Sequence, residues 1–390
     1  MGAPCQVSEL RPADTAQMLK LRNSIFGHIS RDHWDAMDCT AAVARRGKKL
    51  YGAVPLQRRT FALDGSCSIP VVFENAVGVS KEVRSAGLGT AMIEAADRFM
   101  ADRVDALFVY RTGERSDGYR FYRKTHHGDL YFADTLTLAR PRGRRRGVQV
   151  VDWAESAALE KRLLPLFRKC YGRFGGYWQR SAGFYQQIVN SHVYKNDECR
   201  LFLAGAGSRI SGYAITNPRS MIWGGMCIYD FAAPTDATRT ALLEMIEYTA
   251  RRAGLPVTMP CNREHPLTAK LLDRGYVVSN HSPYIMARIV RPDRIFARLA
   301  RGSTVARRLR LEVQTPHRDF VLSSPRRPAA TVRLLLKESQ LSRLMCRRMH
   351  LRTALQTNLI RSTPMEPRVE LALDRVFRPA PWVTFGVDYA

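Results

Sequence analysis

The stretch Ala76–Met92, AVGVSKEVRSAGLGTAM, decides how the chain is read. Its apolar start ends in Val77-Gly78-Val79 and reads as a buried strand. A short charged turn leads into Arg84-Ser85-Ala86-Gly87-Leu88-Gly89, and Thr90 to Ala96 then has helical composition and apolar spacing. Strand, glycine-rich turn and helix start together make a place where a phosphate can sit. Gly87 and Gly89 let the backbone come close to a ligand, and the N–H groups of the first helical turn point outward to meet it. The dinucleotide fingerprint G-x-G-x-x-G is absent; R-x-x-G-x-G stands directly after a V-x-V strand end instead.

Upstream, Val7 to Asp14 reads as a strand and a helix start, with Asp14 or Thr15 capping a helix that carries Met18, Leu19, Leu21 and Ile25-Phe26. After a polar loop, Lys49–Val54 and Arg59–Leu63 read as neighbouring strands, and Asp64-Gly65 turns the chain into a strand over Ser68–Phe73. Downstream, Ala106–Tyr110 is a further apolar strand and Tyr119–Lys124 a short helix. Leu130–Phe132 and Thr135–Leu138 read as a last strand pair.

This order of elements resembles the fold of the GCN5-related N-acetyltransferases, whose coenzyme A pyrophosphate loop the R-x-x-G-x-G turn resembles. A second motif agrees, since that family carries an aromatic pair after the strand that follows the coenzyme helix, here Phe121-Tyr122.

At 390 residues the chain is long enough for two or three domains, and 45% hydrophobic residues suffice for globular cores. No apolar run reaches membrane-spanning length and Met1–Leu10 has no signal-peptide core, so a cytoplasmic protein is expected. Eight cysteines without C-x-x-C pairs predict neither a disulfide framework nor a zinc site. The formal charge of +26, from 61 Lys plus Arg against 35 acidic residues, favours anionic partners or, equally, a solvated basic face. The basic residues lack the aromatic interleaving of a recognised RNA-binding motif, so nucleic-acid contact is expected to be weak.

Arg140–Gly147 reads as an Arg-rich linker. Beyond it a similar plan recurs: helices over 156–174 and 182–189, strands over 200–204, 210–216 and 227–231, then a helix face at Leu242, Leu243, Ile246 and Ala250, and a strand, helix, strand ending by Ile289. Ala232-Ala233-Pro234-Thr235-Asp236 stands where a phosphate turn would be. This resembles a second acetyltransferase fold without its coenzyme loop, expected to wall one side of the acceptor site. The last hundred residues are a mixed α/β segment whose order and tail, Phe377–Pro381 and Val387–Ala390, resemble the sterol-carrier-like domain of the enhanced-intracellular-survival proteins. The expected architecture is therefore α/β with mixed sheets: a catalytic fold over 1–140, a linker over 141–149, a degenerate fold over 150–290 and a sterol-carrier-like domain over 291–390.

The resemblance implies direct acetyl transfer from acetyl-coenzyme A to an amine, without a metal, and a homo-oligomer. It places Val77, Gly78 and Val79 along the pantetheine arm, with the Val79 amide polarising the thioester carbonyl. Arg84, Ser85, Ala86, Gly87, Leu88, Gly89 and Thr90 hold the pyrophosphate, and Tyr122 protonates the leaving thiolate. The terminal carboxylate of Ala390 takes the part of the base, with Asp388 and Glu74 as alternatives that read by themselves as surface or strand-edge acids. His126-His127 reads as an exposed turn pair or a proton relay, and His33 as a residue lining the acceptor pocket; no histidine has metal-ligand spacing. A chain this basic implies a neutral or anionic acceptor, a small molecule or a protein, or else acidic residues concentrated locally in the cleft. Rival readings are a non-enzymatic lipid or anionic-ligand carrier, and a nucleic-acid-associated acetyltransferase.

Overall fold

The structure is a computed structural model, and it describes residues 4–26, 29–75, 77–84, 87–111, 116–189, 198–206, 209–220 and 222–389, the side chains of residues 33, 206, 283 and 389 excepted. Its elements run in chain order as follows. The first part holds β1 (Gln6–Glu9), α1 (Thr15–Asn23), α2 (Arg31–Ala36), β2 (Cys39–Arg46), β3 (Lys49–Ala62), β4 (Ser68–Glu74), β5 (Gly78–Val79), α3 (Leu88–Met100), β6 (Ala106–Tyr110), α4 (Asp117–Lys124) and β7 (Gly128–Leu138). The second holds β8 (Val148–Asp152), α5 (Glu155–Ala158), α6 (Glu160–Tyr171), β9 (Tyr177–Trp178), α7 (Phe184–Val189), β10 (Arg200–Ala206), β11 (Arg209–Asn217), β12 (Met226–Ala232), α8 (Asp236–Arg252), β13 (Val257–Cys261), α9 (Thr268–Asp273) and β14 (Val277–Ile289). The last holds α10 (Pro292–Leu299), α11 (Thr304–Arg307), β15 (Leu309–Gln314), β16 (Asp319–Ser323), β17 (Ala330–Leu335), α12 (Glu338–Met345), α13 (Leu351–Gln356), β18 (Arg361–Ser362) and α14 (Pro367–Val376).

These elements form two compact units. Unit 1 gathers residues 1–63, 67–131 and 283–380, and unit 2 gathers 64–66, 132–282 and 381–390. In unit 1, β1 to β4 pair antiparallel in sequence order. β4 then runs parallel to β6, and β6 pairs antiparallel with the 285–289 part of β14. The connection from β4 to its parallel neighbour carries α3, as a parallel crossover requires. All five residues of β6 are buried, as befits a strand covered on both faces. The buried stripe of α3, Met92, Ile93, Ala96 and Met100, packs on Ala42, Ala44, Val54, Leu56, Val72 and Leu107. Burying such a large side chain is worth about 1.5–3 kcal/mol.

Unit 2 repeats the plan. β8, β10, β11 and β12 pair antiparallel in that order, and β12 runs parallel to β13. The helix between them, α8, buries Leu242, Leu243, Ile246 and Ala250. β13 pairs antiparallel with residues 134–138 of β7. The two folds thus exchange closing strands: the strand after α4 completes the sheet of unit 2, and the strand after α9 completes that of unit 1.

Unit 1 also contains a four-stranded sheet in the order β16-β15-β17-β18. Pro292 and Pro367 open α10 and α14, where a missing N–H costs nothing. Three expectations are corrected. Lys49–Val54 and Arg59–Leu63 are one fourteen-residue strand, continuous through buried Val54, Leu56 and Gln57. The loop before it contains β2, whose centre Ala41–Ala44 is fully buried. The last strand pair, too, is one strand, β7.

Candidate active site

The geometry begins where β4 and β6 part. Their parallel ladder covers only Val71–Phe73 against Ala106–Phe108. Beyond it the first chain turns along β3, with Gly78 opposite Ala53 and Val79 opposite Gly52. The other strand carries on with Val109 and Tyr110 against Met286 and Ile285. A wedge opens between the diverging strands. The N–H of Ser80 reaches Tyr51 O at 2.7 Å, so strand alternation turns the N–H and C=O of Val79 away from β3. Val79 O accepts from Arg84 Nε at 3.2 Å on that side.

α3 starts beside this strand end. Its N-cap is Gly87 at φ +73°, in the left-handed region, and no side chain caps it. A Cβ there would meet nothing within 4 Å, so the space above Gly87 is open. The first intrahelical bond is Ala91 N–H to Gly87 O at 3.0 Å, which leaves the amides of Leu88, Gly89 and Thr90 ahead of the ladder. Without a partner among the described residues, and with the positive end of the helix dipole, these donors suit an anion. Gly89 serves packing: a Cβ would lie 2.9 Å from Cε2 of Phe121. Ser85 and Ala86 lie outside the described residues.

The corresponding place in unit 2 is filled. α8 has Thr235 as its N-cap, whose side chain accepts from Thr238 N–H, and Asp236 puts a negative charge in the first turn. A Cβ on Gly212 would lie 2.5 Å from Thr238 Cγ2, so β11 packs directly on this helix start. A phosphate would meet a satisfied amide, a carboxylate and a neighbouring strand.

Tyr122 is buried and packs with Val109 and Met286, with Val77 and Phe121 against the same cluster. The phenol therefore belongs to the wedge that Val77 borders. Ser116 caps α4 by accepting from Tyr119 N–H at 3.2 Å, which fixes the start of the helix that carries it.

Two residues that read as exposed are not. Glu74 and His127 are both about 1% exposed, and His127 Nε2 lies 3.3 Å from Glu74 Oε1. On its other side His127 Nδ1 lies 3.0 Å from Thr125 Oγ1, and its ring meets that of Tyr122 edge-on with centroids 5.0 Å apart. The Thr125 hydroxyl has one hydrogen and two carbonyls within reach, Tyr122 O at 3.1 Å and Phe121 O at 3.3 Å. Either it donates to a carbonyl and accepts from Nδ1–H, or it donates to Nδ1 and leaves Nε2–H to donate to Glu74. The pair of Glu74 and His127 lies buried behind Tyr122.

The remaining predicted residues lie as follows. Ala390 and the side chain of His33 are outside the described residues. Asp388 is buried in unit 2, where its carbonyl accepts from Trp178 Nε1 at 2.6 Å. The tail around it is part of that unit's core. Val383 N–H donates to Gly175 O at 2.9 Å, Trp382 N–H to Glu264 at 2.6 Å, and the Phe385 ring packs among Phe167, Tyr171, Tyr177 and His265. Arg180 stacks on Phe167 and Phe385 and pairs with buried Asp230. A cleft of about 530 Å³ in unit 2 is lined by residues including Gln149, Asp152, Arg162 and Arg209. None of the described residues predicted to hold the coenzyme borders it.

No protein-family profile matches the sequence, and no curated protein does. Solved structures do. A GCN5-related N-acetyltransferase from Anabaena variabilis aligns with a TM-score of 0.70 at 15% identity, over 97% of this chain and 100% of its own. A GCN5-related N-acetyltransferase from Kribbella flavida aligns at 0.67 and 16% identity, over 99% of both chains. Eis1 from Mycobacterium abscessus aligns at 0.64 and 13%, over 98% of this chain and 99% of its own. Across nearly its whole length, with two tandem acetyltransferase-like folds, this chain has the fold of the GCN5-related N-acetyltransferases.

Proposed function

We propose that the chain is an N-acyltransferase that moves an acetyl group from acetyl-coenzyme A directly to an amine. The observation that carries this reading is the wedge at Val77–Val79, with the open helix start at Gly87 and the buried phenol of Tyr122 in the same unit. The pantetheine arm lies along Val77, Gly78 and Val79 as an added strand would, and the outward Val79 N–H donates to the thioester oxygen as charge develops on it. The amides of residues 85–90 hold the pyrophosphate, and Arg84 adds charge. The amine attacks the carbonyl carbon, the C–S bond breaks, and the thiolate takes the Tyr122 proton. With unperturbed pKa values of about 10 for a phenol and about 8.5 for a thiol, that transfer is uphill by about 2 kcal/mol, so it must be concerted with C–S cleavage. The amine's own proton goes to a carboxylate. Ala390 is that base by resemblance, with Glu74, buried against His127, as the side-chain alternative.

The net charge of +26 disfavours a polycationic acceptor, so the amine belongs to a neutral or anionic molecule. The four-stranded sheet of unit 1 and its helices take the part of the sterol-carrier-like domain. The test is thiol release from acetyl-coenzyme A across an amine panel. Intact protein should release thiol with at least one neutral or anionic amine. Tyr122→Phe should cut kcat by about 10²- to 10⁴-fold, with coenzyme affinity within about threefold. Absence of both thiol release and coenzyme binding would sink the reading.

A further inference from the structure

Three side chains from distant parts of the sequence meet in unit 1: His126, His317 and Glu338. We propose that they form a binding site for a divalent transition-metal ion, best suited to Zn²⁺. One ligand atom from each lies within 4.8 Å of the others. Tetrahedral zinc with bonds of about 2.0–2.1 Å brings its ligand atoms to about 3.3 Å from one another. Rotations of the half-buried His126 ring and the exposed His317 ring supply that contraction.

Each ligand is held by its own segment. His126 follows the end of α4 at φ +66°, a left-handed conformation uncommon outside glycine, and its N–H donates to Arg123 O at 3.2 Å. His317 sits in the β15–β16 turn, locked by Thr315 N–H to Arg318 O at 2.9 Å and Arg318 N–H to Thr315 Oγ1 at 2.9 Å. Glu338 opens α12 and is 6% exposed, and its Oε1 accepts from His317 N–H at 3.2 Å. The two imidazoles face each other with centroids 4.3 Å apart. Among the described residues neither ring makes a side-chain hydrogen bond, so their nitrogens are available.

The charges facing the cluster balance. Arg288 and Arg318 both pair with Asp97, and with Glu338 the local count is two cations to two anions before any metal enters. Two imidazoles and one carboxylate, with water in the fourth position, is a ligand set zinc accepts. Because His126 follows Tyr122 by four residues, the ion would fasten the end of the tyrosine-bearing helix to the 315–318 turn and to α12. The spacing of 126, 317 and 338 explains why no sequence motif announces it.

The test uses the full chain, stripped with chelator. Titration should bind one equivalent of Zn²⁺ with a dissociation constant below about 100 µM and raise the melting temperature. Co²⁺ in its place should give visible ligand-field bands without thiolate charge transfer. His317→Ala, on an exposed turn, and His126→Asn, which tolerates the left-handed backbone, should each weaken binding at least about tenfold. Binding weaker than about 100 µM, binding unchanged in both variants, or a thiolate band from one of the eight cysteines would overturn the proposal.

Discussion

At the scale of single residues, burial decides chemistry that the sequence leaves open. His265 accepts from Leu267 N–H through Nδ1 at 3.1 Å, so its proton is on Nε2, where no partner is present among the described residues. Burial, with Arg239 adding repulsion, pushes its pKa from 6.5 down to about 3. Below pH 6.5 the unfolded chain therefore binds a proton that the native ring refuses. Stability falls as pH drops from about 6.5 towards 3, by about 1.4 kcal/mol per unit where the difference is complete, and is untouched above that window. Urea melts at pH 6.5 and pH 5 should show His265→Asn losing about 1.6 kcal/mol less than the parent; equal losses would refute the assignment. The packing of Phe121-Tyr122 from a short helix was legible, because an aromatic pair in that place reads as one that holds the helix on the sheet. Glu74 and His127 were not, since a strand-end acid and a turn histidine are usually exposed, and only the tertiary fold buries them together.

At the scale of elements, apolar periodicity found α3, α8, β6 and β12 because each presents a continuous buried face or run. It missed β2, whose alanines have weak strand propensity and owe their pairing to β1 and β3. It also divided β3, since Pro55 and Gln57 look like breakers although both are buried within the strand. The C-terminal tail read as a family ending; the structure makes it core. Phe385 is 1% exposed inside an aromatic cage. Phe385→Ala should cost about 3–5 kcal/mol in denaturant unfolding. A loss under about 1 kcal/mol would mean that unit 2 does not depend on its tail.

For the whole molecule, the order of elements announced two similar folds, and the structure has them. What the order could not reveal is that each fold takes its closing strand from the other's segment. Nothing local to β7 or β14 specifies which parallel strand it will join. The asymmetry between the two helix starts was legible, because it rests on Gly87 in one place and Thr235-Asp236 in the other. The proposal that follows from it is a single coenzyme site per chain, in unit 1. Calorimetric titration with acetyl-coenzyme A tests this most directly. The expected result is one equivalent bound per chain, lost in Gly87→Val, where a β-branched residue at φ +73° is strained by about 1–3 kcal/mol. Two equivalents, none, or one that survives Gly87→Val would contradict it.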